Sequence, residues 1–240
     1  MSIVLITGAA AGLGEGIARA FAARGARLVL GDISAAPLES LAHNLGADCV
    51  TMVGDVADPA YAEALVELAL DRFGGLDTAI NNAGIVHGPA YLPDISPDVA
   101  RRVIEVDLLG VLWAMQAQIK AMKAGQIVNI ASVAGLSGAP TLGAYGAAKH
   151  GVVGLTRTAA LENARRGIRV NAVCPSFTRT HMAGEARHSL AHEAEMTRGI
   201  PMRRLASIEE VVTAVMWLAD PANGFVTGQA LGVDGGLGAI

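Results

Sequence analysis

The chain has 240 residues, 52% hydrophobic and only 17% charged, with a formal net charge of −4 at pH 7. That balance is too apolar for a disordered chain, and the lack of any basic block excludes the usual electrostatics of a nucleic-acid binder. Cys49 and Cys174 each lie in an apolar run, so buried thiols are expected in place of a disulfide framework.

Ile3 to Ile6 is a continuous apolar run, as for a strand covered on both faces. It has no basic segment ahead of it and is too short for a signal peptide, and no later stretch is long enough to cross a bilayer. The expected location is the cytoplasm, with no membrane partner. Thr7-Gly8-Ala9-Ala10-Ala11-Gly12-Leu13-Gly14 follows, and then a helical pattern that ends near Gly25. Strand, glycine loop and helix form the context in which backbone N–H groups and a helix dipole hold a pyrophosphate. Gly8 permits the turn, and Gly12 and Gly14 permit close approach. A purely structural glycine turn is the alternative.

Arg27 to Gly31 reads as the second strand, ending at Asp32. Asp32 lies 24 residues beyond Gly8, close to the spacing of about 20 at which an acidic residue meets the adenosine ribose of a dinucleotide. A carboxylate there accepts ribose hydroxyls and repels a 2′-phosphate, and Ala11 offers that phosphate no cation, so NAD is favoured over NADP. Asp32 can also cap the helix that starts near Ser34, and the two roles are compatible. Ala36 to Leu45 reads as a helix and Asp48 to Val53 as the third strand. Asp55 could hold an adenine amino group with Val56 against the ring, or it could simply stabilise the turn. Asp58 and Pro59 cap and open the next helix, which Gly74-Gly75 stops.

Leu76 to Ile80 is the fourth strand, ending in Asn81-Asn82-Ala83-Gly84, where small residues leave room for a cofactor. A loop from Pro89 to Pro97 leads into a long helix to about Lys123, whose wide apolar stripe suggests a second buried face of the kind found between subunits. The fifth strand, Gln126 to Ala131, delivers Ser132. Tyr145 and Lys149, four apart, share one face of the next helix. An ammonium beside a phenol favours the phenolate, which makes Tyr145 a proton acceptor and Ser132 a holder of a substrate oxygen. Taken alone, the pair could equally face solvent. Ile168 to Cys174 is the sixth strand, and Gln229 to Val233 the last. The polar stretch after Pro175 is expected to cover the site as a lid around 176–200. His188 and His192 are four apart without a further ligand set, so no metal is expected. Ser207 with Glu210 is a capping-box pattern. Strands alternate with helices throughout, which implies an α/β fold with one doubly wound parallel sheet in a single domain, 1–240.

The ordered set Thr7-Gly8-x-x-x-Gly12-x-Gly14, Asn81-Asn82-Ala83-Gly84, Ser132, Tyr145-x-x-x-Lys149 and Asn171-Ala172-Val173-Cys174-Pro175 resembles the short-chain dehydrogenase/reductase family over essentially the whole chain. The closing Val226-Thr227-Gly228-Gln229 and Val233-Asp234-Gly235-Gly236 resemble it too. The resemblance implies a seven-stranded Rossmann fold with helices on both faces and a homotetramer whose seam is made by the two long helices. It implies Tyr145 as general acid/base and Lys149 as the residue that favours its phenolate and holds the nicotinamide ribose, with Ser132 orienting the substrate oxygen. It places Gly8, Gly12, Leu13 and Gly14 around the pyrophosphate and the neighbouring ribose. Asp32 would select NAD, Asp55, Val56 and Asn82 would line the adenosine side, and Thr180 would meet the carboxamide.

Two departures stand out. Asp107 occupies a position where the family commonly has asparagine and uses it to hold a water linking the lysine to solvent; a modified proton relay is expected. Ser176 follows Pro175 where a glycine is usual, which could stiffen the lid hinge or change how the lid meets the nicotinamide. The function implied is NAD-dependent interconversion of a secondary alcohol (a polyol, sugar or cyclic alcohol) and its ketone. A 3-oxoacyl thioester reductase is the alternative, although Arg179, Arg187 and Arg198 are matched by Glu185, Glu193 and Glu195 and make no clear basic patch. A non-catalytic dinucleotide sensor of the same fold is a further alternative; such relatives typically lose the tyrosine or the lysine, and both remain here. His87, Leu142 and Phe177 are candidates to line the substrate pocket or simply to pack.

Overall fold

Ile3 and Leu5 pack into one apolar cluster and Val4 and Ile6 into another, as alternation along a strand demands. That strand, β1 (Ile3–Thr7), is therefore buried on both faces, and the sheet around it must be covered on both sides. In the computed structural model, which describes residues 1–46, 48–178 and 196–239, the other strands are β2 (Arg27–Asp32), β3 (Cys49–Val53), β4 (Thr78–Asn81), β5 (Gly125–Ile130), β6 (Ile168–Pro175) and β7 (Ala230–Val233). All pairings are parallel, in the order β3-β2-β1-β4-β5-β6-β7. The order reverses between β1 and β4, whose ends Thr7 and Asn81 are in register. A ligand crevice is expected beyond that switch point.

Among the described residues the α-helices are α1 (Gly12–Ala22), α2 (Ala35–Leu45), α3 (Pro59–Phe73), α4 (Pro97–Ile104), α5 (Gly110–Ala121), α6 (Gly143–Asn163) and α7 (Ile208–Ala219). Tyr61 and Leu65 of α3, Val111 and Met115 of α5, and Val152 and Val153 of α6 cover one face of the sheet. Ile17 and Phe21 of α1, Leu38 and Leu41 of α2, and Val211 and Val215 of α7 cover the other. Caps fix the ends. The Asp58 carboxylate accepts from Ala60 N–H at 2.9 Å, and Gly74 closes α3 in the left-handed region at φ 84°. Ser207 and Glu210 satisfy each other's backbone N–H at the start of α7. None of the helices among the described residues is long and apolar enough to cross a membrane.

The helix expected from Pro97 to Lys123 is not uniform. Residues Glu105–Leu109 between α4 and α5 wind as a π turn, a feature common at functional sites. The apolar stripe read there is partly met within the chain: a Cβ on Gly151 of α6 would stand 2.7 Å from Leu108. Ser176 sits at no positive φ, so its side chain introduces no backbone strain.

A buried polar chain joins sheet and helices beneath the site. Asn81 donates to Gln118 Oε1 at 3.1 Å and to Asn129 Oδ1 at 2.9 Å, and Gln118 donates back to Asn81 at 2.8 Å. Asn129 in turn donates to Thr156 Oγ1 at 2.9 Å, and Thr156 donates to Val152 O at 2.8 Å. Every donor has an acceptor along this path, so β4, β5, α5 and α6 are held in one arrangement. Gln118→Leu keeps the volume but takes away the donor to the Asn81 carbonyl. It should destabilise the protein by about 1–3 kcal/mol, seen as a lower urea midpoint; an unchanged midpoint would contradict this account of the network.

Candidate active site

α6 carries Tyr145 and Lys149 one turn apart, and the packing around it brings in residues from three other elements. Lys149 is 3% exposed. Its ammonium lies 5.5 Å from the centre of the Tyr145 ring, within cation–π range. It donates to Ile130 O at 3.2 Å. Ile130 ends β5, two residues before Ser132, so Lys149 ties the serine strand to the tyrosine helix. A lysine buried this deeply ordinarily gives up its proton.

Asp107 prevents that. It sits in the π turn, is completely buried, and places Oδ2 3.4 Å from Lys149 Nζ. Its Oδ1 accepts from Ile85 N–H at 2.7 Å. Oδ2 stands at ion-pair distance yet has no hydrogen bond among the described residues. Burial pushes the Asp107 carboxyl above its ordinary value, and Lys149 and the Ile85 N–H only partly oppose this. Burial pushes the Lys149 ammonium the other way, but the Asp107 charge, followed by Tyr145, outweighs it and holds the proton more tightly than in an ordinary lysine. Gly84 lies over this pair: a Cβ there would be 3.3 Å from Nζ and 3.5 Å from either Asp107 oxygen.

Ser132 ends the strand 9% exposed, and its Oγ accepts from Ala134 N–H at 3.1 Å. Accepting leaves its own hydrogen free to donate. Cys174 is buried close by, and burial pushes its thiol up to about 11, so it is neutral and inert.

The glycine loop forms a second cluster at the end of β1. Gly8 has φ +64° and Gly12 φ +58°. A Cβ on Gly14 would fall 2.0 Å from Gly8 O, so this glycine serves the packing of helix on loop. α1 begins after Ala11 with no side-chain cap, which leaves first-turn N–H groups free for an anion. Leu13 is partly buried and packs against the apolar cluster that includes α1 and α2. Asn82 braces the loop: its amide donates to Thr7 O at 3.1 Å and Gly8 O at 2.8 Å. Asp32 fixes the far side, accepting from Ala10 N–H and from Ser34 N–H, both at 2.9 Å. Each of its oxygens keeps a lone pair for a further donor.

Asp55 has partners of its own. It accepts from Ala57 N–H at 3.0 Å and pairs with Arg102 of α4 at 2.7 Å. Burial alone would raise its carboxyl, but the Ala57 N–H and the Arg102 guanidinium hold it below the ordinary value. Sequence reasoning missed Arg102, because 47 residues separate the partners and no local pattern links them. Val56 packs against the start of α5, where a Cβ on Gly110 would meet it at 3.0 Å. Thr180, His188 and His192 lie outside the described residues.

A family model described as enoyl-(acyl carrier protein) reductase matches residues 8–238. The chain is 42% identical to oxidoreductase UcpA of Escherichia coli (strain K12), over 97% of this chain and 92% of that one. It is 39% identical to the cyclohexanol dehydrogenase of Acinetobacter sp. (strain SE19), over 97% of this chain and 93% of that one. Among solved structures, levodione reductase superposes with a TM-score of 0.94 at 34% identity, covering 99% of this chain and 98% of that one.

The ion pair has a pH signature. Lys149 binds its proton above the ordinary value of 10.5, so the stability it contributes is present below that pH and is lost as pH rises through the folded-state value. Asp107 is raised above 3.8, so its contribution likewise fades as pH rises through its folded-state value. In both windows the protein should therefore gain stability over Asp107→Asn as the pH falls. Urea midpoints of the two proteins at acid, neutral and alkaline pH measure the gap; a gap that does not widen as the pH falls through the alkaline window would contradict the pairing.

Proposed function

The chain belongs to the short-chain dehydrogenase/reductase family, and from that premise we propose that it is a NAD-dependent dehydrogenase interconverting a secondary alcohol and its ketone. The observation that carries this reading is the buried ammonium of Lys149 set between Asp107 and the Tyr145 ring, with Ser132 at the end of the neighbouring strand.

The residues present fit a dinucleotide. The uncapped start of α1 and the left-handed Gly12 leave N–H groups for a pyrophosphate. Gly8, Gly12, Leu13 and Gly14 would surround it, Asp32 would take the adenosine ribose, and Asp55, Val56 and Asn82 would border the adenosine side. Arg102 already occupies one oxygen of Asp55, leaving the other lone pairs for an adenine amino group. Lys149 would hold the nicotinamide ribose with a donor not used on Ile130. When bound, the dinucleotide supplies the hydride acceptor. Tyr145 takes the proton of the substrate hydroxyl, Ser132 donates to the same oxygen and fixes it, and Lys149 stabilises the phenolate. Asp107 keeps Lys149 charged, in place of a neutral relay. Thr180 would meet the carboxamide.

Asp32 supports NAD over NADP, since a fixed carboxylate repels a 2′-phosphate and the residues from Ile33 to Leu38 bring no cation. A cyclic alcohol is the substrate class we favour. The relative acting on cyclohexanol supports it, as do the exposed apolar side chains Tyr91, Leu92, Leu136 and Phe177 on the loops that follow β4, β5 and β6. The same reading takes 1–240 as one domain with residues 176–200 as its lid. It also takes the chain as a homotetramer of the cytoplasm, a seam supported by the half-buried Leu109, Leu112 and Trp113.

NADH formation from cyclohexanol tests the reading. Tyr145→Phe should lower kcat by about 100- to 10,000-fold while NADH binding, followed by fluorescence, stays nearly intact. The unaltered protein should show the higher kcat/KM with NAD. Turnover that survives in Tyr145→Phe, or a clear preference for NADP, would overturn the assigned roles.

A further inference from the structure

His87 lies in the loop after β4 and has no part in the chemistry above. The loop is fastened to the reacting groups on both sides of it. Before His87, the Ile85 N–H donates to Asp107, and Gly84 faces Lys149. After it, the Ala90 N–H donates to Thr141 O at 2.9 Å, and Ala90 pairs with Leu142, just ahead of Tyr145.

His87 is 8% exposed, with Nδ1 2.7 Å from Gly88 O. A carbonyl oxygen only accepts, so Nδ1 carries the hydrogen, and Nε2 of the neutral ring is an acceptor. Nε2 is buried and has no hydrogen-bond partner among the described residues. A buried acceptor without a donor is unfavourable, and native structures rarely leave one without a reason.

We propose that His87 Nε2 accepts a hydrogen bond from a second hydroxyl of the substrate, the one that does not react, so that the preferred substrates are neutral cyclic diols. This rests on the dehydrogenase reading above. A hydroxyl brings the donor that Nε2 lacks, whereas a carboxylate would set two acceptors against each other. Two of the surrounding loops agree: the stretches from Ala83 to Leu92 and from Ala131 to Ala144 contain no Asp, Glu, Lys or Arg, so neither offers a cation to an acidic substrate. The recognised hydroxyl survives oxidation of its neighbour, so the same bond forms with the hydroxyketone and favours both directions.

The test is kcat/KM with NAD for cyclohexanol, the cyclohexane-1,2-, 1,3- and 1,4-diols, and 4-hydroxycyclohexanecarboxylate. At least one diol should exceed cyclohexanol by about tenfold, the scale of one hydrogen bond into a desolvated site, and the hydroxy acid should not. His87→Phe should collapse the diol-to-cyclohexanol ratio about tenfold, and His87→Gln, which keeps an acceptor, should restore much of it. A ratio near one in the unaltered protein, a preference for the hydroxy acid, or a ratio unmoved by His87→Phe would overturn the proposal. The unaltered protein alone decides the first two, should the variant fail to fold. Turnover of cyclohexanol without a diol preference would sink the role of His87 and leave the dehydrogenase standing. Turnover of none of these alcohols would sink both.

Discussion

The structure turns on one buried charge. A lysine ammonium removed from water is costly, and it persists in this interior because a carboxylate is buried with it. Once Lys149 must reach Asp107, much else is constrained. α6 must lie across the end of β5, where Ile130 O takes one of the ammonium protons. The helix between Pro97 and Ala121 must open into a π turn at Glu105–Leu109, the segment that carries the carboxylate. The loop after β4 must run close enough for Ile85 to donate to the same carboxylate, and a side chain at Gly84 would press on the Lys149 ammonium. Tyr145, one turn before Lys149, then has its ring 5.5 Å from the ammonium.

The dinucleotide end of the site is governed by backbone geometry. Asn82 and Asp32 grip the glycine loop from opposite sides, and Gly14 lets α1 press against it. The two clusters meet at the switch point between β1 and β4, where strand ends diverge and leave a crevice. The polar chain from Asn81 to Thr156 ties β4 and β5 to α6 beneath the sheet ends.

Much of this was legible in the sequence because it rests on local patterns. Apolar runs such as Ile3 to Ile6 mark strands that must be covered twice. Asp58-Pro59, Gly74 and Ser207 with Glu210 announce helix ends, because each supplies a specific missing hydrogen bond or backbone angle. Tyr145 and Lys149 could be paired by helical spacing alone. Long-range polar contacts were not legible. Arg102 reaches Asp55 across 47 positions, and the buried amides of Asn81, Gln118 and Asn129 read individually as ordinary polar residues. The π turn adds one residue to the helical phase, and in the sequence that slip reads only as a wider apolar stripe. The acceptor state of His87 depends on how its ring meets the Gly88 carbonyl, which only the folded structure reveals.

Asp107 gives this chain a lysine held by charge in place of a water-linked neutral partner, and that difference can be observed directly. The chain has three lysines, Lys120, Lys123 and Lys149, and the first two are exposed. In protein labelled with ¹⁵N at the lysine side chains, the Lys149 resonance should keep its ammonium shift as the pH rises past 10.5, the ordinary lysine value, after the other two have moved. A Lys149 resonance that loses its proton below that pH would show that Asp107 does not hold the charge, and the account built on this pair would fail.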